Sequence, residues 1–331
     1  MKTFSIVLLG LARIIWSVES FSTVVSILSP LKKTPIALGV TASQTDDVIV
    51  NEATKFWGKP REEQEIINFV SSTLFNTEND EATADQWVEV ISAEPPLLVV
   101  HGFLERSYCD QIIDATRGPS SSDSDSDSPA KHELKRSTMG AEQDKSDHRT
   151  SSTAWLHDDR CPSPLRTFAT RASALSGLPT VNMENLQVVR YQPGEEFQLH
   201  TDHLDSFNEF GCGGRLCTCL VYLNDSEQSA SKNNDAGVSE NGVDNGEDDA
   251  LFTGGETNFP EFDAAIPPTK GSALFFWNTL EKPGSIDYDE NMFLNVDIKL
   301  RHAGLPVLSG EKWVANRWMH PRDFGADVRG L

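Results

Sequence analysis

The chain has 331 residues, room for one sizeable domain with appendages, and a formal net charge of −22. That balance excludes nucleic acid as a partner, because phosphate binding needs a basic surface. It would draw in a basic polypeptide, although solubility alone is reason enough for it.

The chain opens with Lys2, an apolar run from Phe4 to Ala12, and the small or modest residues Val18, Glu19 and Ser20. This basic, apolar, small order predicts a secretory signal peptide over residues 1–20, and with it the endoplasmic reticulum lumen or secretory pathway. A membrane span needs about 20 apolar residues, and Arg13 and Glu19 interrupt any such window. Membrane association through an uncleaved anchor is the alternative, and a plastid address, suggested by Phe21 after the expected cut, is a third.

Residues 21–92 form an extension without a nameable motif. Within it, Ile66, Ile67, Val70 and Leu74 share one face of a helix expected from Glu62 to Thr73. The main domain is expected over 93–320, opening with a strand at Leu97–Val100 and a turn at Phe103 into a helix through Ile113. The segment 118–147 contains the Ser/Asp run 120–128 and cannot bury enough apolar surface to order itself. A helix follows from Leu165, with Gly177 as its cap.

From Leu186 onward, strands are expected at 186–192, 196–202, 216–223, 255–259, 272–277, 294–302 and 312–319. Strands at this spacing without helices between them predict a sandwich or jelly roll flanked by N-terminal helices, an α+β class that is mainly β. A second low-complexity segment, 225–249, interrupts the strands; with 118–147 it holds −10 of the net charge. At its edge, Asn224-Asp225-Ser226 is a glycosylation sequon, expected in an exposed loop. The five cysteines, 109, 161, 212, 217 and 219, lack zinc-site spacing and are expected mostly as buried thiols.

The chemistry concentrates at His200-Thr201-Asp202. On a strand, His200 and Asp202 share a face, and His302 completes a two-His, one-carboxylate set. Such a set leaves coordination positions open and suits non-haem Fe(II) that activates oxygen. His203 faces the other way, as a surface residue or one behind the ligands, and His157 with Asp158 and Asp159 reads as a solvated loop.

Several segments then resemble, in order, the catalytic domain of the prolyl 4-hydroxylases, a branch of the 2-oxoglutarate- and Fe(II)-dependent dioxygenases. They are Arg149-Thr150-Ser151-Ser152, Gly213-Gly214-Arg215 with its following strand, Gly254-Gly255-Glu256-Thr257-Asn258-Phe259, and Gly271 to Trp277. The resemblance spans about 93–320 and departs at Leu305, where many members carry Cys, and at the two low-complexity insertions. It implies a double-stranded β-helix core, with Fe(II), 2-oxoglutarate as co-substrate and ascorbate. It implies metal ligation by His200, Asp202 and His302, and co-substrate held by Lys312, Tyr191 and Thr218. Arg149 and Trp318 resemble positions lining the peptide groove. The implied reaction consumes molecular oxygen and hydroxylates proline in proline-rich secretory peptides, releasing succinate and CO2. Oxidation of another residue or a small molecule, or a non-catalytic binding module, are the competing readings. Oligomeric state stays open.

Overall fold

Glu62 and Glu65 begin a helix: the Glu62 N–H donates to the Glu65 carboxylate at 3.1 Å, one half of a capping box. The helix, α1 (Glu63–Leu74), buries Ile66, Val70 and Leu74, the face its sequence predicts. The structure is a computed structural model that describes residues 52–75, 85–117, 134–137, 148–158, 161–230, 251–286 and 293–325. The expected signal peptide and the Ser/Asp run lie outside the described residues.

Chain order continues with strands β1 (Trp87–Ala93) and β2 (Pro96–His101), then α2 (Arg106–Arg117). Next come β3 (Lys135–Arg136), β4 (Ser152–Leu156), α3 (Pro162–Ser176), β5 (Leu186–Tyr191) and β6 (Phe197–His200). β7 (Cys217–Tyr222), β8 (Thr253–Gly254), β9 (Thr257–Phe259) and β10 (Ala264–Ile266) follow. The last are β11 (Ala273–Trp277), β12 (His302–Gly304), β13 (Val307–Ser309) and β14 (Lys312–Met319).

Eight strands make one antiparallel sheet in the order β1-β2-β11-β7-β14-β5-β4-β3, and four make a second, β10-β9-β12-β6. The large sheet is covered on both faces, so its central strands β11, β7 and β14 are buried along their whole length rather than alternating with solvent-facing residues. Cys217, Cys219, Val221, Phe275, Trp277, Trp313 and Ala315 pack with the helices. Their neighbours Leu220, Tyr222, Leu274, Phe276 and Val314 pack with Phe259, Ile266 and Phe197 of the small sheet. Period-two alternation thus separates a helix-facing core from a site-facing one. All five cysteines are free and four are buried, as expected.

Several expectations need correction. The fold does not begin at 93: β1 pairs with β2, and the Trp57 indole N–H donates to the Leu175 carbonyl at 2.7 Å within the same core. Segment 118–147 contains β3, which pairs with β4, and a buried Ser137 bonded to Ser151. The second insertion begins after 230, not at 225. Asp225 is buried against Arg106 and accepts the Lys270 N–H, while Ser229 donates to the Pro268 carbonyl. The sequon does not sit in an exposed loop either, since Asn224 is half-buried. The Asn224 amide donates to the Glu311 carbonyl and accepts the Trp313 N–H, so both its atoms fasten the start of β14.

The strand expected over 294–302 survives only as β12. Asp297 accepts the Lys299 N–H and turns residues Ile298–Leu300 into a 3-10 helix, leaving Ile298 65% exposed. β1, β3, β4, β8, β10 and β13 had no counterpart among the expected strands.

Candidate metal centre

β6 and β12 are antiparallel neighbours whose register places His200 directly opposite His302. Each imidazole is aimed by its own backbone. His200 Nδ1 lies 2.8 Å from the Gln198 carbonyl and His302 Nδ1 lies 3.1 Å from the Leu300 carbonyl. A carbonyl can only accept, so Nδ1 carries the proton and Nε2 keeps a free lone pair. Packing fixes the planes: His200 stacks on Phe197 at 3.5 Å between centroids, and His302 lies 5.1 Å from both Phe259 and Phe276.

Asp202 is not on the strand. β6 ends at His200, and the chain bends before Asp202. Its Oδ1 nevertheless comes 3.5 Å from His200 Nε2 and 3.9 Å from His302 Nε2. The three ligand atoms lie within 4.8 Å of one another, the sole such group of His, Cys, Asp and Glu among the described residues. Burial would raise the Asp202 carboxyl, but the imidazoles of His302 and His200 and the Thr218 hydroxyl overrule it and hold it far below the usual range. Burial, reinforced by His200, lowers His302 to about 4. At neutral pH the site therefore offers an anionic oxygen and a neutral imidazole, the forms that a metal ion needs.

The same cavity is lined by Lys312, Tyr191, Thr257, Arg149 and Trp318. Lys312 is 2% exposed. Its Nζ sits over the rings of Tyr191 and Tyr222, at 5.3 and 5.8 Å, and no described carboxylate forms an ion pair with it. Gly255 makes room for it. A Cβ there would meet Lys312 Cδ at 3.0 Å, and its φ of +73° disfavours any side chain. Burial lowers the ammonium to about 7, with Glu256 acting the other way. An ammonium buried without a counter-ion is costly, so an anionic ligand fits this end of the cavity.

This shift carries a testable sign. Raising the pH through 7 strips the proton that an incoming carboxylate needs. Affinity for 2-oxoglutarate is expected to fall above pH 7 by up to about tenfold per unit. Binding there should take up a proton, which calorimetry in buffers of different ionisation heat reads directly. Lys312→Arg, a cation at every working pH, should flatten that dependence.

Thr218 departs from its expected place. Its hydroxyl donates to Asp202 Oδ2 at 2.7 Å and accepts from the Asn278 amide at 3.0 Å, so it faces the acid and not the Lys312 end. The hydroxyl in the cavity belongs to Thr257, 2.8 Å from the Tyr222 hydroxyl. No role was expected for Thr257, although it lies in the G-G-E-T-x-F segment on which the resemblance rests. Arg149 is buried and donates to Ser151 and Gln187, with its guanidinium 4.8 Å from the Phe197 ring. The Trp318 indole N–H is buried with no hydrogen-bond partner. His203 is also buried, 3.4 Å from the Arg215 carbonyl and bonded to Asn208, so the surface option is excluded. His157 is exposed, as expected.

One network escaped the sequence. Glu184, 4% exposed, accepts both guanidinium arms of Arg215 and the Nε2–H of His320 at 3.0 Å. Arg215 in turn covers the Trp318 ring at 3.6 Å. Against burial, Arg215 and His320 lower Glu184 to about 2; against burial, Cys212 and Glu184 raise His320 to about 9. Removing the acid strands the partly buried Arg215 guanidinium and takes from His320 the partner that favours its protonated form. Glu184→Ala is expected to destabilise the protein by about 3–5 kcal/mol, measured by urea unfolding, and Glu184→Gln by less.

These donors and the buried lysine define an iron- and 2-oxoglutarate-dependent oxygenase. Residues 186–320 match the family model of the 2OG-Fe(II) oxygenase superfamily. Prolyl 4-hydroxylase 5 of Arabidopsis thaliana is 30% identical over 282 residues, covering 78% of this chain and 80% of that protein. The chain belongs to the prolyl 4-hydroxylase family. Prolyl 4-hydroxylase subunit alpha-1 of Gallus gallus is 34% identical over 180 residues, which cover 53% of this chain and 28% of that subunit. Among solved structures, a viral collagen prolyl hydroxylase from Paramecium bursaria Chlorella virus-1, in complex with 2-oxoglutarate, is 27% identical with a TM-score of 0.41. It covers 68% of this chain and 95% of its own.

Proposed function

We propose that this chain hydroxylates peptidyl proline, with Fe(II) held by His200, Asp202 and His302 inside a jelly-roll core. The single observation that carries the reading is the cavity that joins a His–Asp–His set, with an ionised Asp202, to a buried lysine with which no described carboxylate forms an ion pair. Two imidazoles and one carboxylate would hold the metal ion and leave it open positions for co-substrate and oxygen. When bound, iron and 2-oxoglutarate supply the oxidising chemistry, converting 2-oxoglutarate to succinate and CO2 and delivering one oxygen atom to the substrate.

The protein's own part is holding and aiming. Lys312 receives the distal carboxylate through a charge-assisted hydrogen bond. Thr257 and Tyr191 line the same end and supply hydroxyls. Trp318 and Arg149 border the cavity where a peptide would enter. The Trp318 ring in the cavity wall would give a proline an apolar surface. Phe197, Phe259 and Phe276 keep the surroundings of the imidazoles dry.

Ascorbate as a reducing partner, an extended proline-rich substrate from the secretory pathway, and delivery there by residues 1–20 complete the proposal. The deciding experiment incubates purified protein with Fe(II), 2-oxoglutarate and a poly-proline peptide, measuring succinate and locating the added oxygen by mass spectrometry. Peptide-dependent succinate with oxygen on proline supports the reading. Succinate without peptide dependence, or oxygen on another residue, sinks it.

A further inference from the structure

Asp202 presents its two oxygens to different neighbours. Oδ1 faces the Nε2 atoms of His200 and His302, at 3.5 and 3.9 Å. Oδ2 accepts the Thr218 hydroxyl at 2.7 Å. Thr218 is fully buried in the centre of the large sheet, where β7 lies between β11 and β14. Behind the hydroxyl lies the Asn278 side chain, whose amide donates to Oγ1 at 3.0 Å and whose oxygen is a second acceptor at 3.1 Å; the shorter 2.7 Å contact to a charged oxygen gives the hydroxyl proton to the acid. Asn278 is itself 3% exposed and tied down through its backbone, donating to the Leu216 carbonyl at 2.8 Å and accepting from the Asp297 N–H at 2.9 Å.

A carboxylate can bind a metal through one oxygen or through two. Through two, it would take one of the three positions that the co-substrate and oxygen require. A short hydrogen bond to Oδ2 opposes that turn, because coordination by Oδ2 would break its bond to the fully buried Thr218 hydroxyl. We propose that Thr218, aimed by Asn278, is a positioning residue that keeps Asp202 a one-oxygen ligand and thereby keeps the third coordination position free. The inference rests on the reading of His200, Asp202 and His302 as the metal site.

Thr218→Val is nearly isosteric and β-branched, so it suits the strand while deleting the donor. Co(II) serves as the probe, since its visible absorption reports coordination number and requires no turnover. The full chain carrying Thr218→Val should bind Co(II) with an altered spectrum, and its 2-oxoglutarate affinity in the Co(II)-loaded state should fall by roughly ten- to hundredfold. Thr218→Ser, which retains the hydroxyl, should restore both spectrum and affinity. Asn278→Ala should shift them in the same direction by less. Melting temperature is followed in every variant; an altered spectrum in a stably folded Thr218→Val separates positioning from general damage. A Thr218→Val protein with the wild-type spectrum and 2-oxoglutarate affinity overturns the proposal, as does a Thr218→Ser protein no better than Val. If wild-type protein fails to bind Co(II), the metal site itself is wrong and this inference falls with it.

Discussion

Alanine at His302, Asp202 or His200 is expected to reduce iron-dependent succinate formation to background while the protein stays folded. Each residue supplies one of three ligand atoms, and the described residues hold no spare His, Cys or carboxylate within reach of the group. The substitutions differ in what they leave behind. His302→Ala opens a small space beside Phe259 and Phe276, a stability loss of the size seen for other buried truncations, about 2–4 kcal/mol. Asp202→Ala removes the acceptor of the Thr218 hydroxyl, which can then turn to the Asn278 carbonyl oxygen at 3.1 Å. Metal content after dialysis, measured beside turnover, separates lost ligation from lost fold. Near-normal succinate from any of the three contradicts the assignment.

Lys312→Ala is expected to weaken 2-oxoglutarate roughly ten- to hundredfold, the equivalent of about 1.5–3 kcal/mol for a hydrogen bond to a charged group. Metal binding should persist, because Lys312 lies on β14 and supplies none of the three ligand atoms. The variant has a second consequence. Removing a buried ammonium without a counter-ion relieves a desolvation cost, so the ligand-free variant should melt no lower than wild type. Weakened co-substrate binding joined to undiminished stability is the signature of a residue kept for its ligand. Equal 2-oxoglutarate affinity in a titration would remove Lys312 from the site.

What could be read in the sequence follows a physical line. His200 and His302 were legible because a strand partner and a later histidine are local patterns, and the register that pairs them depends on strands the alternation reveals. Lys312 was legible through resemblance, and its burial between two tyrosine rings then gave it a physical reason. Thr218 was expected at the co-substrate and Thr257 was given no role, because sequence gives the face of a strand but not the depth at which a hydroxyl sits. Thr218 reaches the acid and Thr257 the cavity.

The Glu184–Arg215–His320 network was invisible for a different reason. Its members come from the residues before β5, before β7 and after β14, and only sheet order brings them together. The insertion boundaries erred where polar residues are spent on tertiary bonds. Asp225, Ser226 and Ser229 look like loop composition yet are buried against Arg106 and the Pro268 carbonyl. The sequon misled in the same way: a side-chain amide that fastens two backbone groups of another segment is part of the fold, whatever tripeptide surrounds it.

The most direct measurement is a crystal structure of the protein grown with Fe(II) and 2-oxoglutarate without oxygen, with diffraction collected across the iron absorption edge. The account predicts one anomalous peak between His200 Nε2, Asp202 Oδ1 and His302 Nε2, with the distal carboxylate of 2-oxoglutarate on Lys312 Nζ. A peak away from that triad, or a distal carboxylate resting on Arg149 with Lys312 untouched, would contradict it.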